Sequence, residues 1–363
     1  MVFSAGGCVN GSPIRVLIVD DSALVRRMLA SALAADKEIE VVGMAADAYI
    51  ARNMILELQP DVITLDIEMP RMDGITFLKK LMQYKPLPVI IISSLGQAAA
   101  QASMDALRAG AVEILAKPNG PYSIGELGHT LADKIRAAST AKPRMMEPQT
   151  ASAEGVGAVT PMARAVPARA ADGKLIAIGA STGGPGALAD VLRTLPEDGP
   201  PIVVVQHMPA GFTKHLAERL NRDCRIAVKE AEDGEYVHAG QALVAPGNFH
   251  MTVKRQGNAY QVLLGDGPLV CFSRPSVDVL FTSVAAAAGK DATGVLLTGM
   301  GADGARGLLA MRENGAATIA QNEDTCVVFG MPKEAIRMGA VQAVLPLEKI
   351  ANALMRPAAV LAR

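Results

Sequence analysis

The sequence predicts an α/β protein made of two doubly wound domains, and three observations carry that expectation. Short aliphatic runs alternate with Ala- and Leu-rich segments at βαβ spacing in both halves of the 363 residues. Residues 139–173 interrupt the alternation with Ala, Pro, Gly, Thr and Arg and no sustained period. Half of all residues are hydrophobic, yet only 3% are aromatic and none is Trp. The core must therefore be Ala, Val, Ile, Leu and Met, which suits helices packed on parallel strands. A formal net charge of −1 gives no global pull towards nucleic acid or anionic membrane. Cys8, Cys224, Cys271 and Cys326 are scattered without a C-x-x-C pair, so neither a zinc site nor a disulfide framework is indicated. With no run of about 18 apolar residues and no signal peptide, the expectation is a soluble, cytoplasmic protein.

Residues 1–13 contain Gly and Ser and read as a loose leader. Ile14 to Val19 is a strand, and Ser22 caps a helix running to about Ala35. Strands at Glu40–Met44, Val62–Leu65, Val89–Ile92 and Val112–Leu115 alternate with helices at Ala48–Leu58, from Gly74, Ala98–Ala109 and Ser123–Ala138. These strand–helix units predict a five-stranded, doubly wound parallel sheet with its site at the carboxyl ends of the strands.

Asp20 and Asp21 follow the first strand, Asp66 ends the third, Ser93 the fourth and Lys117 the fifth. In such a sheet all five gather at one edge. Three crowded carboxylates need a cation, and hard oxygen ligands with room for water suit Mg²⁺. A hydroxyl and an ammonium nearby could bind an oxyanion attached to Asp66. Any one of these residues alone reads as an ordinary loop or capping group; their joint placement is what argues for a site.

VDDS at Val19 to Ser22, LDIEMPRMDG at Leu65 to Gly74, Ser93-Ser94 and AKP at Ala116 to Pro118 together resemble a response-regulator receiver domain, over about residues 14–137. The resemblance implies a flavodoxin-like fold in which Asp66 accepts a phosphoryl group from a histidine kinase. It implies that Asp20, Asp21 and Asp66, with the backbone carbonyl of Glu68, hold Mg²⁺, and that Ser93 and Lys117 contact the phosphoryl oxygens. Ile114 stands where many receivers carry a switching aromatic, a departure that puts an aromatic-rotamer switch in doubt.

Residues 139–173 cannot bury a core of their own and read as a tether between a domain at 14–138 and one at 174–363. A docking segment around Arg144 to Glu147 is the alternative, with nothing in the sequence to favour it.

The second half opens on KLIAIGASTGGPG, Lys174 to Gly186. An apolar strand runs through glycines into an Ala/Leu-rich helix, Ala187 to Leu195, and Gly179 to Gly183 fit G-x-S-x-G, the pattern that presents a serine nucleophile on a sharp turn. A phosphate-cradling or merely tight glycine turn is the competing interpretation. Strands at Ile202–Val205, Ile226–Lys229, Ala242–Ala245, His250–Val253, Tyr260–Leu264, Thr293–Leu297 and Ala317–Ala320 follow, some of them antiparallel. Helices are expected at Phe212–Leu220, Val277–Ala288, Ala305–Arg312, Lys333–Met338 and Ile350–Met355.

Ser181, His207 and Asp303 each follow an apolar strand, which gathers them at one edge of a parallel sheet. The chemistry needs a hydroxyl, an imidazole to take its proton and a carboxylate to orient the imidazole. His250 is the best substitute for His207, while His215 sits inside a helix; Asp278 and Asp291 compete with Asp303, whose glycine turn after a strand favours it. The order Ser, His, Asp is not the Ser, acid, His of standard α/β-hydrolases.

The words IGASTGGPGAL, QHMPAGFT, VKEAEDGE, APGNFHM, RPSVDVLF, LLTGMGADGARG and AQNEDTCVVFGMP, from about Leu175 to the end, resemble the effector domain of the CheB-type chemotaxis receptor methylesterases. The resemblance implies Ser181 as nucleophile, His207 as general base, Asp303 as orienting acid, the Met300 backbone N–H as oxyanion donor and Thr182 as a supporting group. It implies a phosphorylation-activated protein-glutamate methylesterase that also deamidates specific glutamines, with chemoreceptors as substrate and a histidine kinase of CheA type as phosphodonor. Mg²⁺ would serve the receiver alone, with none needed for ester hydrolysis; neither nucleic acid nor direct membrane insertion is implied. The receiver would restrain the esterase domain until Asp66 is phosphorylated. A hydrolase of small esters, which would need a closed apolar pocket, and a non-catalytic regulator remain as other classes; the intact Ser181, His207 and Asp303 argue against the latter.

Overall fold

The computed structural model describes residues 12–94, 96–117, 124–141 and 174–355. They form two compact units, each an α/β layer structure. The leader expected over 1–13 and the tether expected over 139–173 lie almost wholly outside the described residues, as does the alternative docking segment.

The first sheet comprises β1 (Ile14–Val19), β2 (Ile39–Ala45), β3 (Val62–Asp66), β4 (Val89–Ser93) and β5 (Glu113–Ala116), in the order β2-β1-β3-β4-β5 and parallel throughout. The connecting helices are α1 (Ala23–Leu33), α2 (Ala48–Leu58), α3 (Gly74–Tyr84) and α4 (Gln97–Arg108), and α5 (Ile124–Ser139) follows β5. β3 and β4 are buried along their whole length, which is why VITLD and VIIIS read as continuous runs rather than alternations. Ser22, Asp47 and Asp73 accept backbone N–H groups at the starts of α1, α2 and α3, fixing where each helix begins. Strand order reverses between β1 and β3, so Asp20 and Asp66 lie at the switch point, where such sheets carry their ligands. Gly74 closes this edge: a Cβ there would lie 2.2 Å from the Asp66 carbonyl oxygen, so no other residue lets α3 start so close to β3.

The second unit has two sheets. β6 (Leu175–Ala180), β7 (Ile202–Gln206), β8 (Ala227–Glu230), β10 (Gln241–Val244), β13 (Ala292–Leu296), β14 (Ala317–Gln321) and β15 (Ala343–Leu345) form a parallel sheet in the order β15-β14-β13-β6-β7-β10-β8. β9 (Tyr236–Val237), β11 (His250–Gln256) and β12 (Ala259–Gly265) form a separate antiparallel sheet with His250 opposite Gly265. The helices are α6 (Gly184–Arg193), α7 (Phe212–Asp223), α8 (Val277–Ala288), α9 (Ala305–Glu313), α10 (Met331–Arg337) and α11 (Leu347–Leu354). β9 and β15, two and three residues long, are additions to the expected set; segments that short show no period. Helix α6 starts three residues before the expected Ala187, because Gly183 adopts φ +77° and turns the chain into it at once. Leu280, Phe281 and Val284 on α8 and Leu308 and Met311 on α9 share a core with Leu175, Val203 and Leu243 of the sheet. Each such side chain contributes roughly 1.5–3 kcal/mol on full burial. The order reverses between β13 and β6, which again defines the edge where polar residues can gather. Among the described residues no helix is long and apolar enough to cross a membrane.

Candidate active site and phosphoacceptor cluster

β6 and β7 are adjacent, with Ala180 opposite Gln206, so the residues that follow, Ser181 and His207, leave the sheet side by side. Ser181 is held by its backbone. Its N–H donates to Thr298 O at 3.0 Å, and its carbonyl accepts the Gln206 side-chain amide at 2.8 Å and the Gly184 N–H at 2.7 Å. The His207 N–H donates to Ala180 O at 3.0 Å, and the Gln206 amide also donates to His207 O at 3.0 Å. Thr298 ties in the neighbouring turn: its N–H donates to Gln321 Oε1 at 2.8 Å and its hydroxyl to Thr182 O at 3.0 Å. Gly299 packs against the nucleophile candidate, where a Cβ would stand 2.7 Å from Ser181 Cβ and 2.4 Å from Met331 Sδ. The second glycine turn is thus a steric requirement of the first.

His207 Nε2 lies 2.8 Å from Asp303 Oδ2. A carboxylate only accepts, so Nε2 carries the proton of the neutral ring and Nδ1 is left as the basic nitrogen. Among the described residues no hydrogen bond engages that Nδ1. Asp303 is buried and sits on the N-terminus of α8. It accepts the Ser276 hydroxyl at 2.7 Å, the Val277 N–H at 2.7 Å and the Asp278 N–H at 3.0 Å besides His207. Burial alone would raise its pKa. The His207 contact and charge, the Asp278 N–H and the Ser276 hydroxyl outweigh burial and hold the carboxyl below its ordinary value. The helix terminus adds its own field in the same direction.

The competing residues are otherwise engaged. Both ring nitrogens of His250 are used, Nε2 with Pro268 O at 2.9 Å and Nδ1 with the Ser276 N–H at 3.2 Å. Asp278 accepts the Gly307 N–H at 2.7 Å and burial pushes its pKa up, while Asp291 lies 3.7 Å from Arg255. His215 lies 3.4 Å from Glu218, one turn along its own helix. Thr182 is buried beside Ser181, and among the described residues no hydrogen bond engages the Met300 N–H. Ser276, Gln206 and Thr298 escaped the sequence reading. Ser276 had a signal, a serine immediately before the apolar helix Val277–Ala288. Gln206 and Thr298 had none, since only strand order brings them to Ser181.

In the first unit Lys117 Nζ lies 2.8 Å from Asp66 Oδ2 and 3.1 Å from Asp20 Oδ2. Asp66 Oδ1 accepts the Glu68 N–H at 3.3 Å, and Asp20 Oδ1 accepts the Ser22 N–H at 2.9 Å. Ser93 is buried at the end of β4, beside Ala116 of β5. Burial raises the Asp66 pKa; Lys117 lowers it, Asp20 raises it again, and the net direction is up. Lys117 is pushed down by burial, but its two acid partners leave it net raised. The two differ in what they favour: burial and Asp20 outweigh Lys117 at Asp66, whereas the ammonium gains from both carboxylates it shares. Carboxylate oxygens of Asp20, Asp21 and Asp66 lie within 4.8 Å of one another, and the buried Asp20 Oδ2 makes its ion pair with Lys117 without an aligned hydrogen bond. This is a donor set that suits a hard divalent ion. Ile114, at the place of the switching aromatic, is buried in β5.

Residues 16–127 match the response regulator receiver domain and residues 176–354 the CheB methylesterase family. Protein-glutamate methylesterase/protein-glutamine glutaminase 2 of Syntrophus aciditrophicus (strain SB) is 52% identical over 346 residues, covering 95% of this chain and 99% of its own length. The chain belongs to the CheB methylesterase family. Two further members of the family have like coverage. Protein-glutamate methylesterase/protein-glutamine glutaminase 5 of Anaeromyxobacter dehalogenans (strain 2CP-C) is 51% identical over 97% of this chain and 98% of its own. Protein-glutamate methylesterase/protein-glutamine glutaminase of Sulfurimonas denitrificans (strain ATCC 33889 / DSM 1251) is 51% identical over 93% of this chain and 96% of its own. Membership accounts for both parallel sheets, that of the five-stranded receiver and that of the esterase unit.

Proposed function

We propose that this CheB-family chain hydrolyses glutamate methyl esters on chemoreceptors, releasing methanol, and deamidates receptor glutamines by the same acyl chemistry under control of phosphorylation at Asp66. The observation that carries the hydrolytic reading is Asp303, a buried carboxylate kept ionised by three donors and presenting its remaining lone pair to His207 Nε2. Ser181 Oγ attacks the ester carbonyl carbon while His207 Nδ1 takes its proton. The imidazolium is stabilised through Nε2 by Asp303. The Met300 N–H, with Thr182 beside the nucleophile, faces the oxyanion. Collapse breaks the C–O bond, and the proton on Nδ1 passes to the leaving methoxide, giving methanol. Water then attacks the acyl-enzyme with Nδ1 again as base, Ser181 leaves with the proton, and a free carboxylate remains. With glutamine the leaving group is ammonia.

In the receiver, Asp20, Asp21, Asp66 and the Glu68 carbonyl would hold Mg²⁺, which when bound offsets the negative charge of a phosphoryl group. An Asp66 carboxylate oxygen attacks the phosphorus of a phosphohistidine on a CheA-type kinase, the P–N bond breaks as the kinase imidazole leaves, and Lys117 and Ser93 hold the transferred oxygens. We take the receiver as 14–138, the tether as 139–173 and the esterase domain as 174–363, in the cytoplasm. The test is Ser181→Ala in the full chain with methylated receptor and phosphodonor. Methanol release should fall by about four orders of magnitude or more, since the triad acts as a unit, and fluorophosphonate should no longer label the protein. Near-wild-type release from the folded variant sinks the assignment.

A further inference from the structure

Residues 266–276 connect β12 to α8 and are tied down along their length. Arg274 donates to the carbonyls of Asp266 and Gly267 at 2.7 and 2.8 Å, and His250 Nε2 donates to Pro268 O at 2.9 Å. At the tip, Val270 and Ser273 exchange backbone hydrogen bonds at 3.1 and 2.9 Å, closing a two-residue hairpin over Cys271 and Phe272. Both of these take positive φ, +50° and +60°, as the favoured two-residue hairpin turn requires and as side chains of their kind resist. Cys271 looks inward: its thiol donates to Asp278 Oδ2 at 3.9 Å, and the Asp278 N–H donates in turn to Asp303. Phe272 looks outward and is 96% exposed; Leu269 is 61% exposed. The Asn248 N–H donates to Arg274 O, which brings Phe249, 43% exposed, to the base of the same hairpin. A protein with seven Phe and no Trp has placed two of its Phe in water beside its triad acid.

Among the described residues nothing covers Phe272. Asn and Gly fit such a turn better, and an aromatic ring gains nothing from solvent. The hairpin is anchored through Cys271 to the same helix start that holds Asp303, so a polypeptide seated on Phe272 is registered against the triad. Methylation neutralises a glutamate, and hydrolysis restores its charge. An apolar contact beside the reacting residue therefore favours the ester-bearing segment over its anionic product.

We propose that the hairpin Leu269–Ser273, led by Phe272, is the surface on which the apolar face of the methylated receptor segment docks. This rests on the receptor-esterase reading above. The test uses full-length enzyme with phosphodonor and Mg²⁺ on membranes carrying methylated receptor, with fluorophosphonate labelling of Ser181 measured in parallel. Phe272→Asn keeps a residue that accepts positive φ, so the folded state should survive, and Leu269→Ser supplies a second variant outside the turn. The expected result is a KM for receptor raised about fivefold or more with kcat within about twofold, and an unchanged labelling rate. Unchanged KM in both variants overturns docking at the hairpin. Labelling that falls in step with receptor turnover also overturns it, since the loop would then only support Asp303. Wild-type enzyme that labels but releases no methanol from receptor fails the underlying reading instead, and the docking assignment falls with it.

Discussion

Asp303 accepts four hydrogen bonds, two of them from backbone N–H groups at a helix start. Asp66 accepts one backbone N–H and shares a lysine with Asp20. Both are buried aspartates at the switch point of a parallel sheet, and the same burial presses both towards the neutral form. Donors overcome it at Asp303, whose pKa is lowered; at Asp66 a second acid reinforces it, and the pKa is raised. The sheet edge thus supplies the position, and the donor count decides the use. A saturated carboxylate is fixed and serves to orient an imidazole. An under-supplied one among other acids is suited to receive a cation and then a covalent group.

The same substitution at the two centres separates these uses most widely. Asp303→Asn keeps the size but replaces an acceptor with an amide that can donate towards His207, and so disfavours the tautomer that leaves Nδ1 basic. Methanol release should fall by about 10⁴-fold with the fold retained. Asp66→Asn should leave the release of the unphosphorylated enzyme within about twofold, and should abolish acid-labile phosphate after incubation with acetyl phosphate and Mg²⁺. Losses of similar size in both variants would erase the distinction between an orienting acid and an acceptor.

Ser276 sharpens the account of why Asp303 is saturated. Its hydroxyl donates to Asp303 and also accepts the Val279 N–H as the cap of α8. Ser276→Ala removes a charge-assisted donor, worth about 1.5–3 kcal/mol, so turnover should drop by about ten- to a hundredfold. It also removes a cap worth about 1 kcal/mol, visible in a denaturation midpoint. Full turnover with a lowered midpoint would mean that Ser276 serves the helix alone.

The parts of this arrangement differ in how they could be read beforehand. Continuous aliphatic runs such as VITLD and VIIIS announce buried parallel strands, and a residue just past such a run is placed by the chain itself. Ser181 and His207 were legible for that reason, and Asp66 for ending one. Asp303 needed the glycine turn between β13 and α9 as an additional sign. Gln206 and Thr298 were illegible because their partners lie in other strands, and strand order is a property of the whole sheet. The two short strands β9 and β15 owe their existence to neighbours rather than to any pattern of their own. Phe272 is illegible in the sequence because a lone aromatic between Cys and Ser has no periodic signal; only its exposure and its turn mark it.

The smallest effect is a difference of sign in stability against pH. Asp303 has a folded pKa below its unfolded value. Its contribution is therefore present above about pH 4, the range of an ordinary Asp, and is lost as pH falls through the folded value. Asp303→Asn should accordingly melt below wild type at pH 7, and the margin should shrink as pH falls through the folded value. Asp66 runs the other way. Its folded pKa is raised, so ionisation at neutral pH opposes folding, and that penalty fades as pH falls towards the folded value and is gone below the unfolded one. With Mg²⁺ chelated, Asp66→Asn should melt above wild type at pH 7, and the gap should close on acidification. Calorimetry on both variants across that range reads the two signs directly. A destabilised Asp66→Asn at pH 7 would show that the Lys117 contact outweighs burial and the charge of Asp20, and that this centre is saturated after all.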